Sequence, residues 1–462
     1  MAIRSINPAT GKVYKTYAPL TSEEIVQRLS VGAAQHQQYR WTSFRERSDW
    51  LQTVAEYLET HTEALGRLMT LEMGKPLGAA IAEVKKCVWV CRHYAEHGAD
   101  YLADERSDVG YVRYQPLGII LAVMPWNYPL WQVFRLAAPA LMAGNVVLLK
   151  HASNVPKCAL SIEKIFRKAG FPEGVFQTLL IGAEQTATVI ADERVRGVSL
   201  TGSGSAGAQV AATAGQHIKK VVLELGGSDP FIVLPSADLK QAVETAVTAR
   251  LQNNGQSCIA AKRFILVGNI ADEFEARLVE KFNALTVGDP IQPETDIGPL
   301  ATPSILQTIH KQVHDCLIAG AKALVGGNIE KLKAALPPEL ELGNFYPPTI
   351  LSHIPAGTPA DQEEFFGPVA LIFRVPDLDA AIQLANSTPF GLGASGWTQE
   401  PTEQQRLINE LEAGAVFINS MVKSDPRLPF GGIKQSGIGR ELGRHGMLEF
   451  VNAKTVCLSL SV

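Results

Sequence analysis

The chain has 462 residues, 46% of them hydrophobic and 19% charged, with a formal net charge of −4. A chain of that size asks for more than one hydrophobic core, and the composition is that of a folded globular protein. The slight acidic excess speaks against a nucleic-acid surface, and the first residues hold no apolar leader, so a cytoplasmic protein is expected. Six cysteines are too sparse for a disulfide scaffold and fit a reducing compartment. Cys87 and Cys91 lie one turn apart on a predicted helix and read as small buried residues. No second ligand pair follows at zinc spacing, so no metal is expected.

In chain order, Thr21 and Glu24 form a capping-box signature that opens a helix over the residues that follow. One long helix is predicted over 48–73, stopped by Gly74 and Pro76. From about 117 the pattern changes. Short β-branched runs alternate with Ala-rich helical segments as far as the VVLEL run, which predicts βαβ units and a doubly wound parallel sheet. The apolar run at 117–126 is too short to span a bilayer and reads as a buried strand. A second series starts at FIVLP and continues to about 440, marking a second α/β domain. The last stretch, EFVNAKTVCLSLSV, reads as a strand without a hairpin partner, expected to pair across a subunit interface.

Four segments could carry chemistry. In NNGQSCIAAKR, Cys258 follows a glycine at a turn. Such a position, especially near a helix N-terminus, can lower a thiol pKa; a lone Cys is otherwise a buried, inert residue. In VVLELGGSDP, Glu224 closes an apolar run, where burial would raise its pKa toward the range of a general base. The glycines after it, Gly226 and Gly227, allow close approach of another group. In MPWNYPLWQVFR, Asn127 sits between two prolines and beside Trp126 and Trp131, a stiff setting for an oxyanion donor or simply a turn. In SLTGSGSAGAQVA, Gly202, Gly204 and Gly207 follow a strand and open a helix, a phosphate-cradling pattern that is weak by itself.

Together these segments, with INPATG, EMGKP, LLKHAS, EEFFGPV and LPFGGIKQSGIGRE, resemble the aldehyde dehydrogenase superfamily over nearly the whole chain. The resemblance implies an α/β fold with three parts. They are a Rossmann-like cofactor domain (1–99 and 117–226), an α/β catalytic domain (227–440) and a small β oligomerisation arm (100–116 and 441–462). It also implies a homodimer or a dimer of dimers. Cys258 would be the nucleophile that carries a thioester, Asn127 an oxyanion donor and Glu224 the base for deacylation. Trp126, Lys150, Ser153, Gly202, Ser203, Leu225, Glu364 and Phe366 would contact the cofactor.

NAD-preferring members usually carry a Glu three residues after the lysine equivalent to Lys150. Here that position is Ser153, which removes a charge that would repel a ribose phosphate, so NADP+ is expected over NAD+. Arg135, Ser424 and Trp131 match the positions that line the substrate tunnel in succinic semialdehyde dehydrogenases of the family. A guanidinium with a hydroxyl suits a terminal carboxylate. The alternative is that Arg135 makes a structural ion pair. Gln252 stands where many such enzymes carry a second Arg. The expected reaction is succinate semialdehyde to succinate. A CoA-acylating relative would not need Glu224, and a non-enzymatic member would not need Cys258, Glu224 and Asn127 together.

Overall fold

Apolar residues at helical spacing form four consecutive helices, Ser22–Tyr39, Phe44–Thr60, Thr62–Met73 and Leu77–Tyr101, in the computed structural model, which describes residues 2–458. The capping box is present: Thr21 Oγ1 accepts the Glu24 N–H, and the Glu24 carboxylate accepts the Thr21 N–H at 2.8 Å. The helix expected over 48–73 is instead two helices, broken at His61. There the His61 ring contacts the Tyr57 carbonyl at 2.8 Å and Thr62 Oγ1 donates to the Leu58 carbonyl at 2.9 Å. Side chains that bond the preceding turn compete with the backbone ladder and let the chain bend. Gly74 ends the second of these helices in the left-handed conformation. Cys87 and Cys91 are fully buried in the core.

The βαβ series builds one sheet in the order Gly437–Ile438, Lys220–Glu224, Val195–Thr201, Ile119–Met124, Val146–His151, Phe176–Thr178. The last five strands are parallel. The chain enters at the middle strand, Ile119–Met124, and winds outward in both directions. Its switch point lies between that strand and Val195–Thr201. Loops leaving the carboxyl ends of two such strands diverge and leave a crevice, the usual ligand position in an open α/β sheet. The residues that follow these ends are Pro125–Asn127 and Gly202–Ser203.

The second series builds a seven-stranded sheet: Lys322–Val325, Thr349–Ser352, Val369–Val375, Arg263–Val267, Pro230–Val233, Gly393–Trp397, Ala415–Ile418. Only its first pair is antiparallel. The strand Gly437–Ile438 lies within the span expected for this second unit, yet it returns to pair with Lys220–Glu224 of the first sheet.

The terminal strand has one partner within its own chain. Val451–Cys457 forms a seven-residue antiparallel ladder with Gly110–Pro116 of its own chain, which in turn pairs with Glu105–Ser107. That ladder satisfies one edge of the strand locally, and its outer edge has no partner strand among the described residues. Residues 459–462 of the expected arm lie outside the described residues. No described helix is long and apolar enough to cross a membrane.

Candidate active site

The crevice at the switch point has a volume of about 240 Å³, and Trp126, Asn127, Gly202, Ser203, Leu225, Cys258, Glu364 and Phe366 are among its walls. Gly202, Ser203 and Gly226 bring main chain to it. Ser203 caps the helix Gly204–Gln216, so the unpaired N–H groups of that first turn open beside the crevice. A Cβ on Gly207 would stand 2.6 Å from a methyl of Leu225. Glycine there lets the helix start pack down on the strand end and holds the turn in place. Trp126 and Phe366 meet edge to face, with centroids 5.7 Å apart. A Cβ on Gly226 would come within 2.4 Å of a Glu364 oxygen, so the expected close approach at the two glycines is that of Glu364. That carboxylate accepts the Gly227 N–H at 3.2 Å.

Lys150 and Ser153 lie apart from this crevice, at the end of the strand Val146–His151. Ser153 is exposed and borders a cleft that also holds Asn154 and Glu184. Burial lowers the Lys150 ammonium from its ordinary value, and Glu184 opposes that shift.

Cys258 sits on a loop between the helix Leu239–Leu251 and the strand Arg263–Val267. Asn253, Asn254 and Gly255 all have left-handed φ, at 58°, 58° and 73°. Two successive non-glycine residues in that region are strained, and such strain persists only where the surroundings over-determine it. Here they do. Asn254 donates to the Gly74 and Pro299 carbonyls at 2.9 and 3.0 Å. Asn253 donates to the Asn127 carbonyl at 2.8 Å. Arg250 donates to the Gly255 carbonyl at 2.6 Å. Lys262, fully buried, donates to the Ser257 and Cys258 carbonyls at 2.8 and 2.5 Å and pairs with Glu364 at 3.1 Å. One ammonium thus ties the Cys258 loop to the crevice carboxylate. The side-chain amide of Asn127 donates to the Gln256 carbonyl at 3.1 Å, which leaves its second N–H for another acceptor.

The thiol does not sit at a helix N-terminus, and its pKa is not lowered. Burial pushes it up to about 12, against the opposing pull of Lys262 and Arg135. Desolvation disfavours the thiolate more than two nearby cations favour it. Glu224 follows the expected direction: burial holds its carboxyl well above the usual carboxylate range, Glu441 adds to this, and Arg135 opposes it. Neither Glu224 oxygen has a hydrogen-bond partner among the described residues. The carboxyl rests against the backbone at Gly431 and borders neither the crevice nor the cavity on the other side of Cys258.

That cavity, about 250 Å³, is lined by Cys258, Trp131, Gln132, Arg135, Ser424 and Phe430, and also by Glu83 and Lys86. Cys258 and Gln132 border both spaces. Arg135, which the sequence suggests for a substrate carboxylate, is already engaged. It forms a buried ion pair with Glu441, donates to Thr201 Oγ1 at 3.2 Å and lies 4.8 Å over the Phe430 ring. Ser424 accepts a hydrogen bond from Lys86 Nζ at 2.7 Å, and the same ammonium stands 4.4 Å from the Trp131 ring centre. Glu83 accepts the Leu130 and Trp131 N–H groups at 2.8 and 2.9 Å, capping the helix Trp131–Met142, and pairs with buried Lys75.

Lys86, Glu83, Lys262 and Glu441 were not singled out from the sequence. A signal existed for the first two: Ala79, Ala82, Glu83 and Lys86 share one helix face, with two charges among small residues. For Lys262 it was a lysine set immediately before the apolar strand Arg263–Val267. Glu441 lies in the LPFGGIKQSGIGRE motif, but only the fold brings it to Arg135.

The aldehyde dehydrogenase family model matches residues 1–456. A relative in Synechocystis sp. named "Probable succinate-semialdehyde dehydrogenase, NADP(+)" is 57% identical over 99% of this chain and 100% of its own length. The succinate-semialdehyde dehydrogenase, NADP(+), 1 of Mycobacterium ulcerans is 52% identical over 99% of both chains. The crystal structure of succinic semialdehyde dehydrogenase from Streptococcus pyogenes in complex with NADP+ superposes with a TM-score of 0.95 at 36% identity, over 99% of this chain and 100% of that one. The matched span takes in both sheets, the crevice, the cavity and the strained loop between them, and on that ground the chain belongs to the aldehyde dehydrogenase family.

Proposed function

We propose that the protein oxidises succinate semialdehyde to succinate with NADP+ through a thioester on Cys258. The observation that carries this reading is the placement of Cys258 between two spaces. One is a crevice lined by Gly202, Ser203 and Gly226 and by the aromatics Trp126 and Phe366; the other is a cavity lined by cations and a hydroxyl. Full-length relatives named for that substrate and cofactor support it.

The crevice residues fit a dinucleotide. Ser203 and the helix start after it offer N–H groups to a pyrophosphate, while the Gly202 N–H is held by the Glu224 carbonyl at 3.0 Å. Trp126, Leu225 and Phe366 offer apolar walls for a nicotinamide, and Glu364 a carboxylate for its ribose. Lys150 and Ser153 offer a cation and a hydroxyl for a ribose phosphate, with no acid at 153 to repel it. When bound, the cofactor supplies the hydride acceptor.

Cys258 gives its proton to solvent water, the one proton released overall in the oxidation, and its sulfur attacks the aldehyde carbon. The second Asn127 N–H and the Cys258 N–H hold the oxyanion. Once the hydride has left, a thioester remains on the sulfur. Glu224 then takes a proton from the water that attacks this acyl carbon, which requires its side chain to turn from Gly431 toward Cys258. The acid product leaves and the thiol is restored. Deacylation by water is a step that a CoA-acylating enzyme does not need.

The test is a panel of short aldehydes with and without a terminal carboxylate, assayed with both cofactors. Succinate semialdehyde with NADP+ is expected to give the highest kcat/KM. A better uncharged aldehyde, or equal use of NAD+, would overturn the substrate or the cofactor assignment respectively.

A further inference from the structure

Lys262 is fully buried against the nucleophile's loop, with three oxygens around its ammonium. It donates to the Ser257 carbonyl at 2.8 Å and the Cys258 carbonyl at 2.5 Å, and pairs with Glu364 at 3.1 Å. An ammonium carries three N–H groups, so these neighbours leave it little freedom. The Ser257 carbonyl also accepts the Ala260 N–H at 3.1 Å, which closes a turn around Cys258. Two donors therefore pin the peptide that joins Ser257 to Cys258. That peptide is trans, and in a trans peptide the N–H and C=O point in opposite directions. The Cys258 N–H is thus turned away from Lys262, and it donates to nothing else among the described residues. A cation on the carbonyl end polarises a peptide and makes its N–H a stronger donor, most of all where water is excluded.

We infer that Lys262 is the positioning residue of the oxyanion site: by gripping the Ser257 carbonyl it aims and polarises the Cys258 N–H that meets the substrate oxygen when sulfur attacks. This rests on the reading of Cys258 as the nucleophile. Asn127, the other donor, is anchored one residue upstream, on the Gln256 carbonyl, so both donors are set by the run 256–258. Glu364 offsets part of the Lys262 charge, but that carboxylate is partly exposed at the crevice while the ammonium is closed off from solvent. Burial raises the nearby Asp229 carboxyl to about 7 against the pull of Lys262, so this second acid is only partly ionised at neutral pH. Among the charges opposing the rise of the Cys258 thiol, Lys262 is the largest. That effect changes how much thiolate is present; the oxyanion effect changes how fast a given thiolate acylates, and the two can be measured apart.

The experiment compares two reactions of Cys258 without cofactor, at one pH. In the first, sulfur attacks the carbonyl carbon of p-nitrophenyl acetate, the electron pair moves to the carbonyl oxygen, and p-nitrophenolate leaves; its burst gives the acylation rate. In the second, sulfur displaces iodide from iodoacetamide, with no oxyanion, followed at Cys258 by peptide mass spectrometry. The ratio of the two rates cancels the thiolate fraction. In Lys262→Met the ratio is expected to fall about 10- to 100-fold, below the loss from deleting an oxyanion donor outright. Lys262→Gln, which keeps an N–H donor without the charge, should lose less. Thermal unfolding checks each fold. An unchanged or higher ratio in Lys262→Met overturns the assignment. Should neither lysine variant fold, Glu364→Gln decides, since it removes the counter-charge and keeps the cation: a ratio at or above that of the wild type is expected, and a lower one overturns the assignment. Nitrophenolate release at the wild-type rate from Cys258→Ala overturns the functional reading instead.

Discussion

The two spaces that meet at Cys258 are built in different ways. The crevice lies at two strand ends of one sheet, where a glycine-rich turn and a helix start sit beside Trp126, Leu225, Glu364 and Phe366. The cavity is made from side chains that reach in from two helices, the nucleophile's loop and the segment around 423–430. Backbone groups recognise what nearly all dinucleotides share, so the crevice depends on a local motif. Side chains recognise what distinguishes one aldehyde from another, so the cavity depends on charges far apart in sequence. Cys258 and its strained loop serve both, held by Asn253, Asn254, Arg250 and Lys262.

Substitutions on the two sides should therefore differ in kind. The largest effect belongs to the junction. Glu224→Gln should lower kcat about 100- to 10,000-fold, the range for losing a general base, while leaving one rapid turnover of NADPH formation visible by stopped flow. Absence of that burst would mean that Glu224 acts before the thioester. The sign of the pH dependence follows from its raised carboxyl. The base works only when ionised, so kcat falls as pH drops through its raised pKa, and this limb should be missing in the variant.

Next is the cavity's buried pair. Arg135→Met leaves Glu441 unpaired and removes the cation that opposes protonation of Glu224. It should cost about 3–5 kcal/mol of stability and depress charged and uncharged aldehydes alike. A selective loss of succinate semialdehyde turnover would instead place the substrate carboxylate on Arg135.

On the cofactor side the effects shrink. Ser153→Glu should shift the NADP+ to NAD+ ratio of kcat/KM by about tenfold toward NAD+, equivalent to ~1.4 kcal/mol. No shift would mean that Ser153 is merely permissive. Smallest of all, Ser203→Ala should cost about 1 kcal/mol of stability through its lost helix cap, with KM for NADP+ changed less than threefold or so, because main-chain N–H groups remain. A large KM effect would show that this side, too, is read by side chains.

The family, the doubly wound sheet and the placing of Cys258 and Asn127 at one crevice could be read from the chain. Each is marked by a short local signal: Thr21 with Glu24 at a helix start, the glycine turn at 202–207, Cys258 after a glycine, Glu224 at the end of an apolar run. Such signals survive in sequence because their geometry is set within a few residues. The break at His61 and the in-chain pairing of Val451–Cys457 with Gly110–Pro116 were not legible. The first turns on side-chain hydrogen bonds that compete with a helix. The second is a contact between segments more than three hundred residues apart in sequence. The same distance hid the charges. Arg135 looked available until the fold set Glu441 against it, and the thiol looked activated until burial outweighed the cations beside it. By itself the sequence determined which groups the site contains; only the tertiary structure decided which of their charges are cancelled. Pairing and desolvation depend on what is buried next to what, and no local pattern records that.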